Sequence, residues 1–151
     1  MRFRNSDILV IGEIFVELRC ARSIALSDMY EKGVGGTDVM VAATAARLGA
    51  SVRLLSAIAH DPFHQMLRDN LSGHGINIDH VVTVKGYNGI YFSSPTESDV
   101  REYLFHRPGT ASESIVPSMV YDDLVEDAKI VFASSELQSV SKSARHTMFK
   151  A

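Results

Sequence analysis

Short, nearly unbroken aliphatic runs constrain this chain more than any other feature. Ile8–Ile11 is wholly aliphatic and ends at Gly12. Val52–Ile58 and Lys129–Ala133 are of the same kind, interrupted only at Arg53, Ser56 and Lys129. Such runs are too short for independent helices and rich in Val and Ile, which predicts strands covered on both faces, as in a parallel sheet. Helix-like segments lie between them. Val39–Leu48 follows a Gly/Thr/Asp entry, carries Ala42, Ala43, Ala45 and Ala46, and stops at Gly49. Asp61-Pro62 predicts a capped start with proline at the first helical position. Phe63, Met66, Leu67 and Leu71 then share one helical face up to Gly73–Gly75. Pro117–Ala128, with Met119, Val120, Leu124, Val125 and Ala128 on one side, predicts a third helix, and Ser139–Ala151 a fourth. Strands alternating with helices argue for an α/β fold.

Two regions do not fit that layer. Glu13–Cys20 alternates loosely, with Ile14, Val16 and Leu18 opposite Phe15, Glu17 and Arg19. Gly89–Ser94 and Glu102–His106 read as two strands joined through the turn residues Pro95–Asp99, hence a hairpin. Both are expected in a small β-lid beside the main sheet. Ile76–Val84 reads as a short extended segment, and Ser23–Lys32 suggests no element.

Composition removes several classes of function. With 151 residues, 46% hydrophobic and 22% charged, the chain is expected to be one ordered domain. A net charge of −3 leaves no electrostatic footprint for nucleic acid or an anionic membrane. Cys20 is the single cysteine, so no internal disulfide can form, which fits a reducing compartment. The apolar stretch near the start is too short for a signal peptide, and no run approaches a membrane span. A soluble cytoplasmic protein is expected.

The strongest local chemical signal is Gly33-Val-Gly35-Gly36-Thr37-Asp38 ahead of a helix. Glycines there let a ligand approach the backbone closely, and amide N–H groups at a helix start suit polar or anionic atoms. It is neither a P-loop nor a dinucleotide fingerprint. The run Gly35-Gly36-Thr-Asp-Val-Met-Val-Ala-Ala-Thr-Ala-Ala-Arg47-Leu48-Gly49 resembles the amino-terminal signature of PfkB-type, ribokinase-like carbohydrate kinases. Ile11-Gly12-Glu13, Asp61-Pro62-Phe63 and Gly73-His-Gly75-Ile76 follow in the family's order. Gly89-Ile-Tyr91-Phe92 and Phe105-His-Arg107-Pro-Gly109-Thr110-Ala111 resemble the lid strands of its 2-keto-3-deoxygluconate kinase branch.

The resemblance implies a three-layer α/β/α sheet, incomplete here, with lid strands near residues 13–32 and 87–108. It implies ATP-dependent phosphorylation of a sugar or keto-sugar acid, with ATP and Mg2+ as cofactors of the intact architecture. Gly35, Gly36, Arg107, Tyr91 and Glu17 are the implied substrate-binding residues. Arg107 is suited to a carboxylate because its planar fork can hold one in bidentate fashion. Lid strands of this family commonly pair between subunits, so a homodimer through the lid is expected.

Several residues depart from the family pattern. Met40 stands where an Asn is usual, Ala59-His60 replaces Gly-Asp, His64 replaces Gly, and Phe105 replaces Tyr. The family's Gly-Ala-Gly-Asp stretch, which supplies the oxyanion amides and the general base, has no counterpart among these residues. The expectation is an amino-terminal half, a fragment or truncated product, with no catalytic residue, no nucleotide bound alone and no activity alone. The alternatives are a non-catalytic sugar-binding or dimerisation module, or the unstable product of a truncated gene.

Weaker groupings favour plain structural roles. His60 and His64 are four apart, but Pro62 puts His60 ahead of the helix, which argues against a metal pair. Asp122, Asp123, Glu126 and Asp127 read as a solvated helix face. Ser134, Ser135 and Ser139 have no matched His/Asp partners, so no nucleophile is expected. Glu13, like Glu17, sits where the family's first strand leaves the sheet toward the sugar.

Overall fold

The computed structural model describes residues 6–95 and 100–151, which form two sheets. The larger holds β1 (Ser6–Ile11), β4 (Val52–Ala59), β5 (Val81–Val84) and β8 (Ala128–Phe132) in the order β5-β4-β1-β8. All of its pairings are parallel. The expected parallel α/β sheet is therefore present.

Each face of this sheet carries its own core. Val10, Val52, Leu54, Ile58 and Val81 pack under α1 (Thr37–Arg47) and α2 (His64–Gly73), through Val39, Ala42, Leu67 and Leu71. Leu9, Ile11, Leu55 and Ala57 pack on the opposite side against Ile115, Val120, Leu124, Leu137 and Ala144. That side is built from single turns at Ala111–Ser114, Pro117–Met119 and Leu137–Ser139, with α3 (Asp122–Glu126) and α4 (Lys142–Lys150). Alternate strand residues thus enter opposite cores, and three layers result.

The smaller sheet joins β2 (Phe15–Arg19), β3 (Glu31–Gly35), β6 (Gly89–Pro95) and β7 (Arg101–His106) in the order β3-β2-β6-β7. This is the expected lid, and its hairpin strands β6 and β7 pair antiparallel from Ile90↔His106 to Pro95↔Arg101. Residues 96–99 of the expected Pro95–Asp99 turn lie outside the described residues.

Five sequence expectations are corrected. Pro62 is not the first helical residue: α2 begins at His64, and Asp61 accepts from the Phe63 N–H at 2.8 Å in the turn ahead of it. Part of the segment read as having no element is β3, and it takes in Gly33 and Gly35. The glycine segment is thus the end of a lid strand, with only Gly36 as the helix entry. Gly36 stands at φ 114°, which favours glycine, and α1 begins at Thr37 rather than Val39. The single helix expected over Pro117–Ala128 is broken. Val120 and Tyr121 are extended between the turn at Pro117–Met119 and α3, and Ala128 opens β8. Val120 and Leu124 still reach the same core, and the break places Asp122 and Asp123 in a new first helical turn, where the dipole favours them. The last helix starts at Lys142, not Ser139, because the Ser141 hydroxyl caps it by accepting from the Ala144 N–H at 3.0 Å.

Candidate functional site

The strand order fixes where a ligand belongs. From β1 the chain adds β4 and β5 on one side, then returns to place β8 on the other. The order therefore reverses between β1 and β8. In open α/β sheets the crevice beyond the carboxyl ends of the strands at such a reversal is the binding position. The residues just past those ends are Gly12-Glu13 after β1 and Ala133-Ser134 after β8.

Asp38, in the first turn of α1, is driven into this crevice. It is buried, and its carboxylate accepts hydrogen bonds from the Glu13 N–H at 3.1 Å, the Ser134 N–H at 2.9 Å and the Ser134 hydroxyl at 3.2 Å. A Cβ on Gly12 would stand 2.0 Å from the Asp38 Cγ, so the missing side chain at Gly12 is what admits the carboxylate. Burial pushes the Asp38 pKa above the usual carboxylate range despite those donors.

Glu13 lies between β1 and β2 and is 2% exposed. Its carboxylate accepts from Arg107 Nε at 3.0 Å and from Arg107 Nη2, a bidentate pair. The same guanidinium donates from Nη1 to the Ser139 hydroxyl at 2.9 Å and from Nη2 to the Glu136 carbonyl. Arg107 thereby ties the end of β7 both to the exit of β1 and to the segment after β8. Burial raises the Glu13 pKa, and the adjacent Arg107 offsets part of that rise.

Between α1 and the lid lies a cavity of about 790 Å³. Strand alternation puts Phe15, Tyr91, Tyr103 and Phe105 on its lid side. Their rings pack edge-on, tilted or, for Tyr103–Phe105, stacked, with centroids 5.2 Å apart for Tyr91–Phe105 and 5.7 Å for Phe15–Tyr91. The helix side is Met40, Val41, Thr44, Ala45 and Leu48, and Gly36, Thr37 and Glu136 close the end nearest the crevice. Aromatic faces suit the C–H faces of a ring of carbons. Thr37, Thr44, Tyr103 and Glu136 can meet hydroxyls.

The structure treats the five implied substrate residues differently. Gly36 and Tyr91 line the cavity. Gly35 lies under Tyr91, and a Cβ there would fall 2.0 Å from the phenol oxygen. Glu17 is the register partner of Tyr91 on the same lid face. It accepts from the Ser93 hydroxyl at 2.8 Å and from Arg19 at 3.0 Å. Burial first, and then the Glu17 charge, push the Tyr91 phenol up to about 12. Arg107 stands apart, at the foot of the lid, in its pair with Glu13.

Sequence reading placed Asp38 in the glycine-rich helix entry but missed its bonds to Glu13 and Ser134, and it missed Glu136 and the grouped rings of Phe15 and Tyr103. The alternation of Phe15 with Val16 was a usable signal for the rings. Nothing local marked the others. His60 and His64 do meet, with ring centroids 5.4 Å apart, but the His64 Nδ1 lies 3.1 Å from the Ala59 carbonyl. Among the described residues no group of three or more His, Cys, Asp or Glu could hold a metal, and no helix is long and apolar enough to cross a membrane.

Comparison with known proteins agrees with this geometry. Residues 5–151 match the pfkB family of carbohydrate kinases. A 5-dehydro-2-deoxygluconokinase of Geobacillus thermodenitrificans is 26% identical, over 96% of this chain and 44% of its own length. A 2-dehydro-3-deoxygluconokinase of Thermoproteus tenax is 26% identical, over 96% and 46%. Among solved structures, a sugar kinase from Pyrococcus horikoshii in complex with ATP superposes with a TM-score of 0.83. It has 27% identity and covers 95% of this chain and 47% of that one. A fructokinase from Halothermothrix orenii gives 0.79, with 27% identity over 95% and 51%. The chain thus spans about half the length of the proteins it matches.

Proposed function

Because the chain belongs to the pfkB family of carbohydrate kinases, we propose that it forms the sugar-binding side of a kinase that transfers a phosphoryl group from ATP to a sugar hydroxyl. The observation that carries this reading is the aromatic-lined cavity between α1 and the lid, beside the crevice where the strand order reverses. Tyr91 and Gly36 would contact the sugar directly. Gly35 keeps the Tyr91 hydroxyl in place by giving it room, and Glu17 orients the same phenol. Arg107 and Glu13 pin the base of the lid to the body beside the crevice. Catalysis of this kind rests on positioning and on charge stabilisation in the transition state.

ATP and Mg2+ are assigned to residues outside this chain. The cavity lining carries one carboxylate, Glu136, and no Lys or Arg, which does not fit a triphosphate. No Gly-x-Gly-Asp stretch is present in the sequence to supply oxyanion amides and a base. The purified chain is expected to bind a sugar, by calorimetry, without releasing ADP when ATP and Mg2+ are added. Sugar-dependent ADP release that Tyr91→Ala abolishes would show that the chain is a complete kinase. A folded chain that binds no sugar would refute the assignment of the cavity.

A homodimer through the lid is the second element of the proposal. All six residues of β7 are exposed, including Tyr103, Leu104 and Phe105, and β7 is the outer strand of its sheet. An outer strand of this kind is a template for pairing with another copy. Sedimentation equilibrium is expected to show dimers, and Leu104→Lys is expected to shift them to monomers.

A further inference from the structure

Resting on the reading of this cavity as a sugar site, we infer that its substrate is an uncharged sugar rather than a sugar acid, and that Glu13 sets this preference by occupying Arg107. A cationic fork is the strongest partner a protein offers a sugar acid's carboxylate, and Arg107, whose guanidinium meets the carbonyl of the cavity-lining Glu136, is the candidate for it. Its fork is already filled. Nε and Nη2 hold the Glu13 carboxylate, Nη1 holds the Ser139 hydroxyl, and Nη2 also meets the Glu136 carbonyl.

Glu13 cannot easily be displaced by a substrate carboxylate. It is 2% exposed, and Ser112, also buried, adds a further hydrogen bond to it. Removing Glu13 from Arg107 would leave a buried carboxylate without its counter-charge, which is costly.

The cavity supplies an independent argument. No Lys or Arg lines it, and its single charged lining residue is Glu136. Arg19, a cation on the lid face, is paired with Glu17 at 3.0 Å. A second carboxylate entering this space would meet the like charge of Glu136 and find no counter-charge among the aromatic rings and aliphatic side chains of the lining. A neutral ring meets none of these penalties. It can stack on Tyr91 or Phe105 while Thr37, Thr44 and Glu136 accept or donate to its hydroxyls.

The test is a binding comparison on the full chain, by calorimetry or ligand-observed NMR. The probes are D-fructose, D-ribose and D-glucose against 2-dehydro-3-deoxygluconate and D-gluconate. The best neutral sugar is expected to bind at least tenfold more tightly than either acid. Glu13→Gln keeps the side-chain size and releases the fork, and it is expected to narrow that ratio at least tenfold. Acid binding equal to or tighter than neutral binding by the unmodified chain overturns the inference while leaving the sugar site intact. This arm needs no variant to fold. An unchanged ratio in a folded Glu13→Gln overturns the role of Glu13. If no sugar of either class binds to a chain that melts cooperatively, the sugar-site reading fails and this inference fails with it.

Discussion

Gly12→Ala is a single methyl group placed where the crevice has no room for it. The new Cβ would stand 2.0 Å from the Asp38 Cγ, 2.1 Å from its Oδ2 and 2.2 Å from its Cβ. Because the Asp38 Cβ itself is that close, a change of side-chain rotamer cannot relieve the contact. The first turn of α1 must retreat by more than about 1 Å to reach ordinary van der Waals separation. That retreat breaks the bonds Asp38 accepts from the Glu13 N–H, the Ser134 N–H and the Ser134 hydroxyl. Overpacking costs about 1–3 kcal/mol, and each buried donor left unpaired costs about 1–3 kcal/mol more. Taking the low end of each range, the total is about 4 kcal/mol, a large part of the roughly 5–15 kcal/mol that holds a domain together. With a urea m-value of about 2 kcal/mol/M, it should lower the unfolding midpoint by about 2 M. The companion variant is Asp38→Gly, which removes both the carboxylate and the offending Cβ. In that background Gly12→Ala should cost under about 1 kcal/mol, so the pair should couple by about 3 kcal/mol. Far-UV circular dichroism in urea measures all four corners of the cycle. If Gly12→Ala costs the same in both backgrounds, the contact between Gly12 and Asp38 is not what the glycine is for.

Three further outcomes follow from the same geometry. Gly35→Ala puts a methyl 2.0 Å from the Tyr91 hydroxyl and 2.8 Å from its Cζ, and should cost about 1–3 kcal/mol. Tyr91→Phe should recover part of that loss in urea melts, and strict additivity would refute the clash. Glu13 and Asp38 both have folded-state pKa values raised by burial, so the folded chain holds protons that the unfolded chain releases. The stability they favour is full below the ordinary carboxylate pKa and is lost as pH rises through the raised values. Urea midpoints across mildly acidic pH should show that fall, and Asp38→Asn should flatten it. Burial holds the Tyr91 phenol up to about 12, above its ordinary value of 10.0, so it should ionise late in an alkaline titration. Its contribution should vanish as pH rises from 10.0 toward about 12. An alkaline titration of phenolate absorbance on the native chain and on Tyr91→Phe would show whether the late-titrating group is absent from the variant.

The main sheet was legible because β1 and β4 are buried or half-covered along their length, which leaves a continuous aliphatic run, whereas β8 keeps such a run although Lys129, Ile130 and Val131 are exposed. β3 was not, since Glu31-Lys-Gly-Val-Gly holds one apolar side chain. Its extended form comes from pairing with β2, from Phe15↔Gly35 to Arg19↔Glu31, which is a tertiary cause. The break at Val120 was hidden because the apolar spacing of Pro117–Ala128 is satisfied equally by one helix and by a turn followed by a shorter helix. At the site, Gly36 and Tyr91 could be reached through motif resemblance. Asp38 bonds to a residue 96 positions away and Arg107 to one 94 positions away, and no local pattern records contacts of that span.

The lid leaves and rejoins the body four times: after β1, after β3, before β6 and after β7. The register sets Phe15 opposite both Gly35 and Gly89, and Ile90 opposite His106, so all four tethers fall in one row along the lid's base. A plate held along one row resists sliding and twisting and keeps a single soft rotation about that row. Glu13 and Arg107 are the residues next to the row at two of those tethers. Their ion pair is therefore a pin on the axle rather than a clasp at the rim, and the lid can turn without breaking it. The chain contains no tryptophan, so one placed at Tyr103 would be the lone indole in the molecule and would report that single angle by its fluorescence.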